Sequence, residues 1–154
     1  LKLIWGNLHE SVLNNDYESH KKVVIGSNLA GKAINVAKTT APHAISYYFT
    51  VKHNIKHGHA VCLFFSRIYN YNFLNIDKED MDLVNIFDNL NSILGISKYN
   101  AIDIVDQFIT RLNIELDFNN LGIDLSNERS AIISSINKER LRNNPCSIDL
   151  NYIL

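Results

Sequence analysis

Thr39-Thr40-Ala41-Pro42-His43-Ala44-Ile45-Ser46, followed five residues later by Lys52-His53-Asn54-Ile55-Lys56-His57-Gly58-His59-Ala60-Val61, is the stretch on which the reading of this chain turns. Pro42 breaks the preceding pattern and suits the first turn of a new helix, where its missing N–H would have had no intrahelical partner anyway. Asn54 and Gly58 then bracket a second break, after which a helix carries Ala60 to about Tyr69. The stretch therefore predicts a helix, a short return and another helix, with no strand.

The same period extends in both directions. Upstream, Ile4, Leu8 and Val12 sit four apart and predict a short opening helix. Asp16 reads as the N-cap of a long helix running to about Thr39. Its small residues Gly26, Ala30, Ala33 and Ala37 form a stripe that would let another helix approach closely. Downstream, Leu83, Phe87, Leu90 and Leu94 make one apolar face within Lys78–Leu94, and Ile102, Val105, Ile109 and Leu112 make another within Ala101–Leu112. Ser126 can cap a helix containing Ile132, Ile133 and Ile136, and Ser147 a last short helix with Leu150, Ile153 and Leu154. No strand alternation, repeat or low-complexity tract interrupts this pattern. The expected fold is all-α, a helical bundle over residues 1–154 as a single domain.

Bulk composition excludes several classes. The chain has 154 residues, 46% hydrophobic and 20% charged, which suits one globular domain with a real core. A net charge of −1 gives no electrostatic case for nucleic acid or an anionic membrane. The longest apolar run, Ala60-Val61-Cys62-Leu63-Phe64-Phe65, is far short of the roughly 20 residues that span a bilayer. Cys62 and Cys146 form no CxxC pair, and no secretory leader is in view, so the expected location is cytoplasmic. Leu1 is not an initiator Met and the first residues already carry helical spacing. The expectation is a piece of a longer protein.

Four of the six histidines, His43, His53, His57 and His59, fall within the opening stretch. His43 and His57 are fourteen residues apart, which on one unbroken helix is about 21 Å, too far to share an ion. If the first helix stops near Val51, a return of a few extended residues brings His57 back beside His43, with both imidazoles at helix starts. Imidazole suits iron, zinc, nickel and copper, and a mixed nitrogen–oxygen site keeps a position open for substrate. On spacing alone, surface or capping histidines are the commoner outcome, and the metal site stands beside that reading.

The segment from Gly26-Ser27-Asn28-Leu29-Ala30-Gly31-Lys32-Ala33-Ile34-Asn35 through Pro42-His43-Ala44 to His57-Gly58-His59-Ala60-Val61 resembles the metal-binding region of iron-containing alcohol dehydrogenases. Within that family it is most like the branch that includes phosphonoacetaldehyde reductases. The ending Arg140-Leu141-Arg142-Asn143-Asn144-Pro145, followed by a short capped helix, resembles the family's C-terminus. The likeness implies that His43 and His57 are two metal ligands, for Fe²⁺ or in some members Zn²⁺. It also implies an oxidoreductase, an NAD(P)H-linked alcohol dehydrogenase working as an aldehyde reductase, whose dinucleotide is held by an N-terminal α/β domain outside these residues. The implied partner is a small aldehyde or alcohol, with an anionic, phosphonate-like substrate and a homodimer both compatible. Lys32 and Lys38 are cations that such an anion could meet, although a solvated helix lysine is the commoner role.

The chain departs from the family at two positions. Many members carry a histidine four residues after the first ligand, where this chain has Tyr47, and a proline before the His-Gly turn, where it has Lys56. Tyr47 can face the pocket as a hydrogen-bond donor or pack in the core, and the core is the favoured expectation. His59, two residues beyond the ligand position, points elsewhere on a helix and is a candidate for supporting the site or facing substrate. His53 reads as a loop residue.

Two motifs are weighed and set aside. Asp16 and His20 have the Asp-x-x-x-His spacing of the family's other two ligands, which would share a helix face. In the family that pair lies much further upstream, and Asp16 falls where a cap belongs. Gly26-Ser27-Asn28-Leu29-Ala30-Gly31-Lys32-Ala33 nearly spells a phosphate-binding loop, but Ala33 lacks the hydroxyl that magnesium requires. Two other functions remain open on the residues alone: a dehydroquinate synthase-like metal-dependent lyase, and a non-catalytic helical module.

Overall fold

The computed structural model describes residues 1–97 and 99–154, and within them it contains ten helices and no strand. Two short helices open the chain, α1 (Lys2–Trp5) and α2 (Leu8–Leu13), and a longer one follows, α3 (Tyr17–Ile34). The central pair is α4 (Ala41–Lys52) and α5 (His57–Asn75). After them come α6 (Met81–Leu94), α7 (Ala101–Thr110), α8 (Leu125–Ser135), α9 (Lys138–Leu141) and α10 (Leu150–Ile153). No described helix is long and apolar enough to cross a membrane.

Helix α5 is shared by two cores. On one side Ala60, Leu63, Phe64 and Ile68 pack with Ile45 and Phe49 of α4, Ile132 of α8, Ile153 of α10 and the loop residues Phe118 and Ile123. On the other, Tyr69 packs with Phe87 and Leu94 of α6 and with Val105 and Ile109 of α7. The largest fully buried side chains are Phe49 and Phe64, with ring centres 5.1 Å apart. Removing each such ring from water contributes about 1.5–3 kcal/mol. The clamp they form fixes α4 against α5, and thereby the starts of both helices.

Several boundaries differ from the sequence reading, each for a local reason. The opening helix breaks into α1 and α2 at Gly6–Asn7, and Val12 is 52% exposed instead of buried. Asp16 caps α3 as expected, accepting from the Ser19 N–H at 2.7 Å. The helix ends at Ile34, short of Thr39, and Val36 beyond it is 92% exposed. Of the small-residue stripe only Gly26 meets a neighbour. An added Cβ there would lie 2.8 Å from Ile4 Cγ1, whereas Ala30 and Ala33 are exposed and Ala37 lies beyond the helix.

Helix α5 begins earlier and ends later than expected, at Asn75. Asn72, a polar residue inside the extension, is satisfied by a reciprocal pair of amide bonds with Asn144, at 3.2 and 2.6 Å. The caps of α8 and α10 are Asp124, two residues before the expected Ser126, and Asp149, two residues after the expected Ser147. Asp124 accepts from the Asn127 N–H at 3.1 Å and Asp149 from the Asn151 N–H at 2.8 Å. A carboxylate at a helix start gains from the dipole as well as from the hydrogen bond, so it prevails over a nearby hydroxyl. Helix α9, capped by Asn137, has no counterpart in the periodicity because four residues are too few to show one.

Candidate metal centre

The first turn of α4 is anchored on both sides of His43. Ala41, Pro42, Ala44 and Ile45 are all buried, so the histidine between them is held at the helix start with its imidazole half-buried at the surface. The helix closes at Lys52, and Asn54 adopts the left-handed conformation (φ 53°), which asparagine tolerates better than most residues. Ile55 packs onto the core, and the chain re-enters helix at His57, the first residue of α5. The return loop brings the two imidazoles together, with ring centres 5.5 Å apart and planes at 59°.

That separation can be compared with what a shared ion requires. Zinc or iron sits ~2.0–2.1 Å from an imidazole nitrogen, so two rings on one tetrahedral ion have centres about 5–5.5 Å apart. The donor chemistry also suits a metal, since neutral imidazole is the ligating form. Burial, and then the neighbouring His57 and the Arg140 cation, push the His43 imidazole below its usual range and favour that neutral form. Among the described residues no third His, Cys, Asp or Glu completes a cluster around the pair. The spacing of the pair therefore suits two rings on one ion.

Tyr47 is placed otherwise than the favoured expectation. It is 38% exposed, not in the core, and its ring lies 5.3 Å from that of His57. One turn after His43 on the same helix face, it shares the surface that the two histidines define. Its hydroxyl accepts a hydrogen bond from Arg140, whose guanidinium also lies over the ring, 4.8 Å from the centre. Nothing in the helical spacing of the opening stretch signalled Arg140. The only sign of it was its place in the Arg140–Pro145 ending. The Asn137 side chain positions it by accepting from the Arg140 backbone N–H at 2.9 Å.

The other histidines are engaged elsewhere. The His59 ring nitrogen bonds the Glu115 carbonyl, tying the start of α5 to the loop before α8. The His53 ring nitrogen lies 2.7 Å from Glu128, which also accepts from the Tyr48 hydroxyl at 3.0 Å and from Lys52 at 3.2 Å. His53 is thus part of a polar lock between the end of α4 and α8, not a free loop residue. Burial pushes the Glu128 carboxyl up, but hydrogen bonds from His53, Lys52 and Tyr48 outweigh it and hold the carboxyl below the usual range. The His20 ring contacts the Ser11 hydroxyl at 3.2 Å while Asp16 serves as a cap, so this pair is used structurally. Gly26–Ala33 lies wholly within α3, a continuous helix where a phosphate-binding loop would need open backbone. Cys62 and Cys146 are both free thiols.

Fold and geometry together define an all-helical domain with a close histidine pair at two helix starts. The chain belongs to the Fe-containing alcohol dehydrogenase family, and it matches the family's C-terminal region over residues 1–154. It is 29% identical over 126 residues to a phosphonoacetaldehyde reductase of Streptomyces viridochromogenes, a match covering 78% of this chain and 31% of that protein. Its fold is similar to that of an alcohol dehydrogenase from Oenococcus oeni, with a TM-score of 0.74 at 21% identity, covering 97% of this chain and 40% of that one. The chain thus corresponds to the helical C-terminal region of that family and spans about a third of the length of its reductase relative.

Proposed function

We propose that this chain supplies half of the metal centre and one wall of the substrate pocket of an NAD(P)H-dependent aldehyde reductase. The observation that carries the reading is the approach of His43 and His57 to a separation that suits one shared ion. Fe²⁺, or Zn²⁺ in its place, would polarise the carbonyl oxygen of the substrate as a Lewis acid. An N-terminal nucleotide-binding domain would complete the ligand set and present the nicotinamide, which fits a chain spanning 31% of its reductase relative. The relative's name supports a small aldehyde with an anionic, phosphonate-like group as substrate. Free thiols at Cys62 and Cys146 suit a reducing, cytoplasmic setting.

Within this chain, burial, His57 and Arg140 lower the His43 imidazole below its usual range and favour its neutral form, and the buried first turn of α4 anchors the residue's backbone. His57 is backed by the Tyr47 ring, which covers one side of the imidazole. The Tyr47 hydroxyl accepts from Arg140 and retains its own O–H, a proton that it can hold toward the pocket. The test is metal analysis of the full-length protein that carries this chain, beside its His43→Ala and His57→Ala variants. The expected result is about one iron or zinc per chain, lost from both variants together with aldehyde-dependent oxidation of NADH or NADPH. Variants that retain both metal and turnover would overturn the reading. A full-length wild type with no metal affinity would leave a non-catalytic helical module.

A further inference from the structure

Beside the histidine pair lies an open cleft of about 540 Å³, lined by Lys38 and Thr39 from the segment before α4 and by Asn137, Glu139, Arg140 and Asn143 around α9. Its charge is unbalanced. Two cations face one carboxylate, and among the described residues neither Lys38 nor Arg140 forms an ion pair, with Glu139 or with any other acid. The cleft edges are fixed. Asn143 donates from its amide to the Thr39 carbonyl at 3.2 Å, and Asn137 holds the backbone of Arg140. A guanidinium has five N–H donors, of which the Tyr47 hydroxyl occupies one. Arg140 therefore keeps a planar fork free for a tetrahedral oxyanion, the geometry in which arginine binds bidentately. One aromatic ring, Tyr47, separates this fork from His57.

We propose that the Lys38–Arg140 cleft binds the phosphonate or phosphate group of the substrate, with Arg140 as the principal contact and Lys38 as the second charge. The proposal rests on the aldehyde-reductase reading for the identity of the bound molecule, but its chemistry is that of the cleft alone. Anchoring the anion there would place the remainder of a short substrate over Tyr47 and toward the histidine pair. Arg140 then sets specificity through contact with the substrate, while its bond to Tyr47 aligns the guanidinium.

The experiment uses the full-length protein and its Arg140→Met, Arg140→Lys and Lys38→Met variants. Methylphosphonate binding is followed by calorimetry. Steady-state reduction is compared for a phosphonate-bearing aldehyde and an uncharged aldehyde of equal length. The expected result is a loss of about tenfold or more in methylphosphonate affinity in Arg140→Met, a smaller loss in Lys38→Met, and partial retention in Arg140→Lys. The ratio of KM for the charged to the uncharged aldehyde should rise by the same factor in each. If uncharged aldehyde is reduced while methylphosphonate neither binds nor inhibits, the cleft proposal fails and the reductase reading survives. If no aldehyde is reduced but methylphosphonate binds and Arg140→Met abolishes that binding, the cleft stands and the reductase reading falls. Displacement of methylphosphonate by ADP-ribose, with KM rising for the dinucleotide and not for the aldehyde, would assign the cleft to a cofactor phosphate and overturn the proposal. Should Arg140→Met disturb the metal through Tyr47, Lys38→Met decides, and an unchanged methylphosphonate affinity there also overturns it.

Discussion

Replacing Phe49 with alanine tests whether the clamp between α4 and α5 sets the spacing of the two histidines. Phe49 is fully buried, and its ring meets Phe64 at 5.1 Å and Phe118 at 5.8 Å between centres. Truncating a buried phenylalanine typically costs about 3–5 kcal/mol, through lost transfer energy and the cavity left behind. Against a total stability of roughly 5–15 kcal/mol that is a large share. At ~2–4 °C per kcal/mol for a domain of this size, the melting temperature should fall by roughly 6–20 °C. Phe49→Leu keeps an apolar filling but loses the ring contacts with Phe64, Phe118, Tyr48 and His53, and should cost about 1–2 kcal/mol. Urea unfolding followed by the helical circular dichroism signal gives these values. A double-mutant cycle with Phe64→Ala should return a coupling of ~0.5–1.5 kcal/mol. A loss below about 1 kcal/mol for Phe49→Ala, at unchanged m value, would mean that α4 does not bury this face against α5. The reasoning that carries His43 to His57 would then fail with it.

Gly26→Ala should push α1 off α3, because the new Cβ would sit 2.8 Å from Ile4 Cγ1 and 3.2 Å from Leu3 Cβ. Its helix-propensity gain of about 1 kcal/mol offsets much of the cost. The change is read from the single tryptophan, Trp5, now stacked on Phe108 with ring centres 3.7 Å apart, whose emission should shift to the red; unchanged emission would refute the contact. The Glu128 lock predicts an acid-side dependence. Its carboxyl is held below the usual range in the folded chain, so its stabilising contribution is present above the unfolded value of ~4.3 and fades as pH falls through the lower folded value. Glu128→Gln should flatten this limb of the stability–pH curve, and an unaltered slope would count against the lock. Finally, the 154 residues alone should bind Zn²⁺ far more weakly than the full-length protein and show no NADH- or NADPH-dependent aldehyde reduction, since two imidazoles fall short of the three ligands of a typical catalytic zinc site; robust turnover by this chain would return Asp16 and His20 to consideration as ligands.

Much of the fold was legible without coordinates, since helix type follows from local spacing and from a few residues with special backbone or capping chemistry. Pro42 located the start of α4, Asp16 the cap of α3, and the 3.6-residue recurrence of Leu83, Phe87, Leu90 and Leu94 the face of α6. The fourteen-residue spacing of His43 and His57 carried information of the same local kind, because a break between them was enough to allow their approach. Cap identity and helix length were less legible. Asp124 and Asp149 compete with Ser126 and Ser147 on energies of a kilocalorie or so, and the extension of α5 to Asn75 depends on Asn72 finding Asn144, 72 residues away. The surroundings of the site were decided by tertiary structure alone. Tyr47 was open to core or surface until Arg140, 93 positions later, was brought over its ring, and His53 gained its role only when α8 delivered Glu128. A sequence specifies which side chains a helix turns the same way, because that depends on the chain's own period. Which charges meet across helices depends on how the two cores pack, and no local spacing records that.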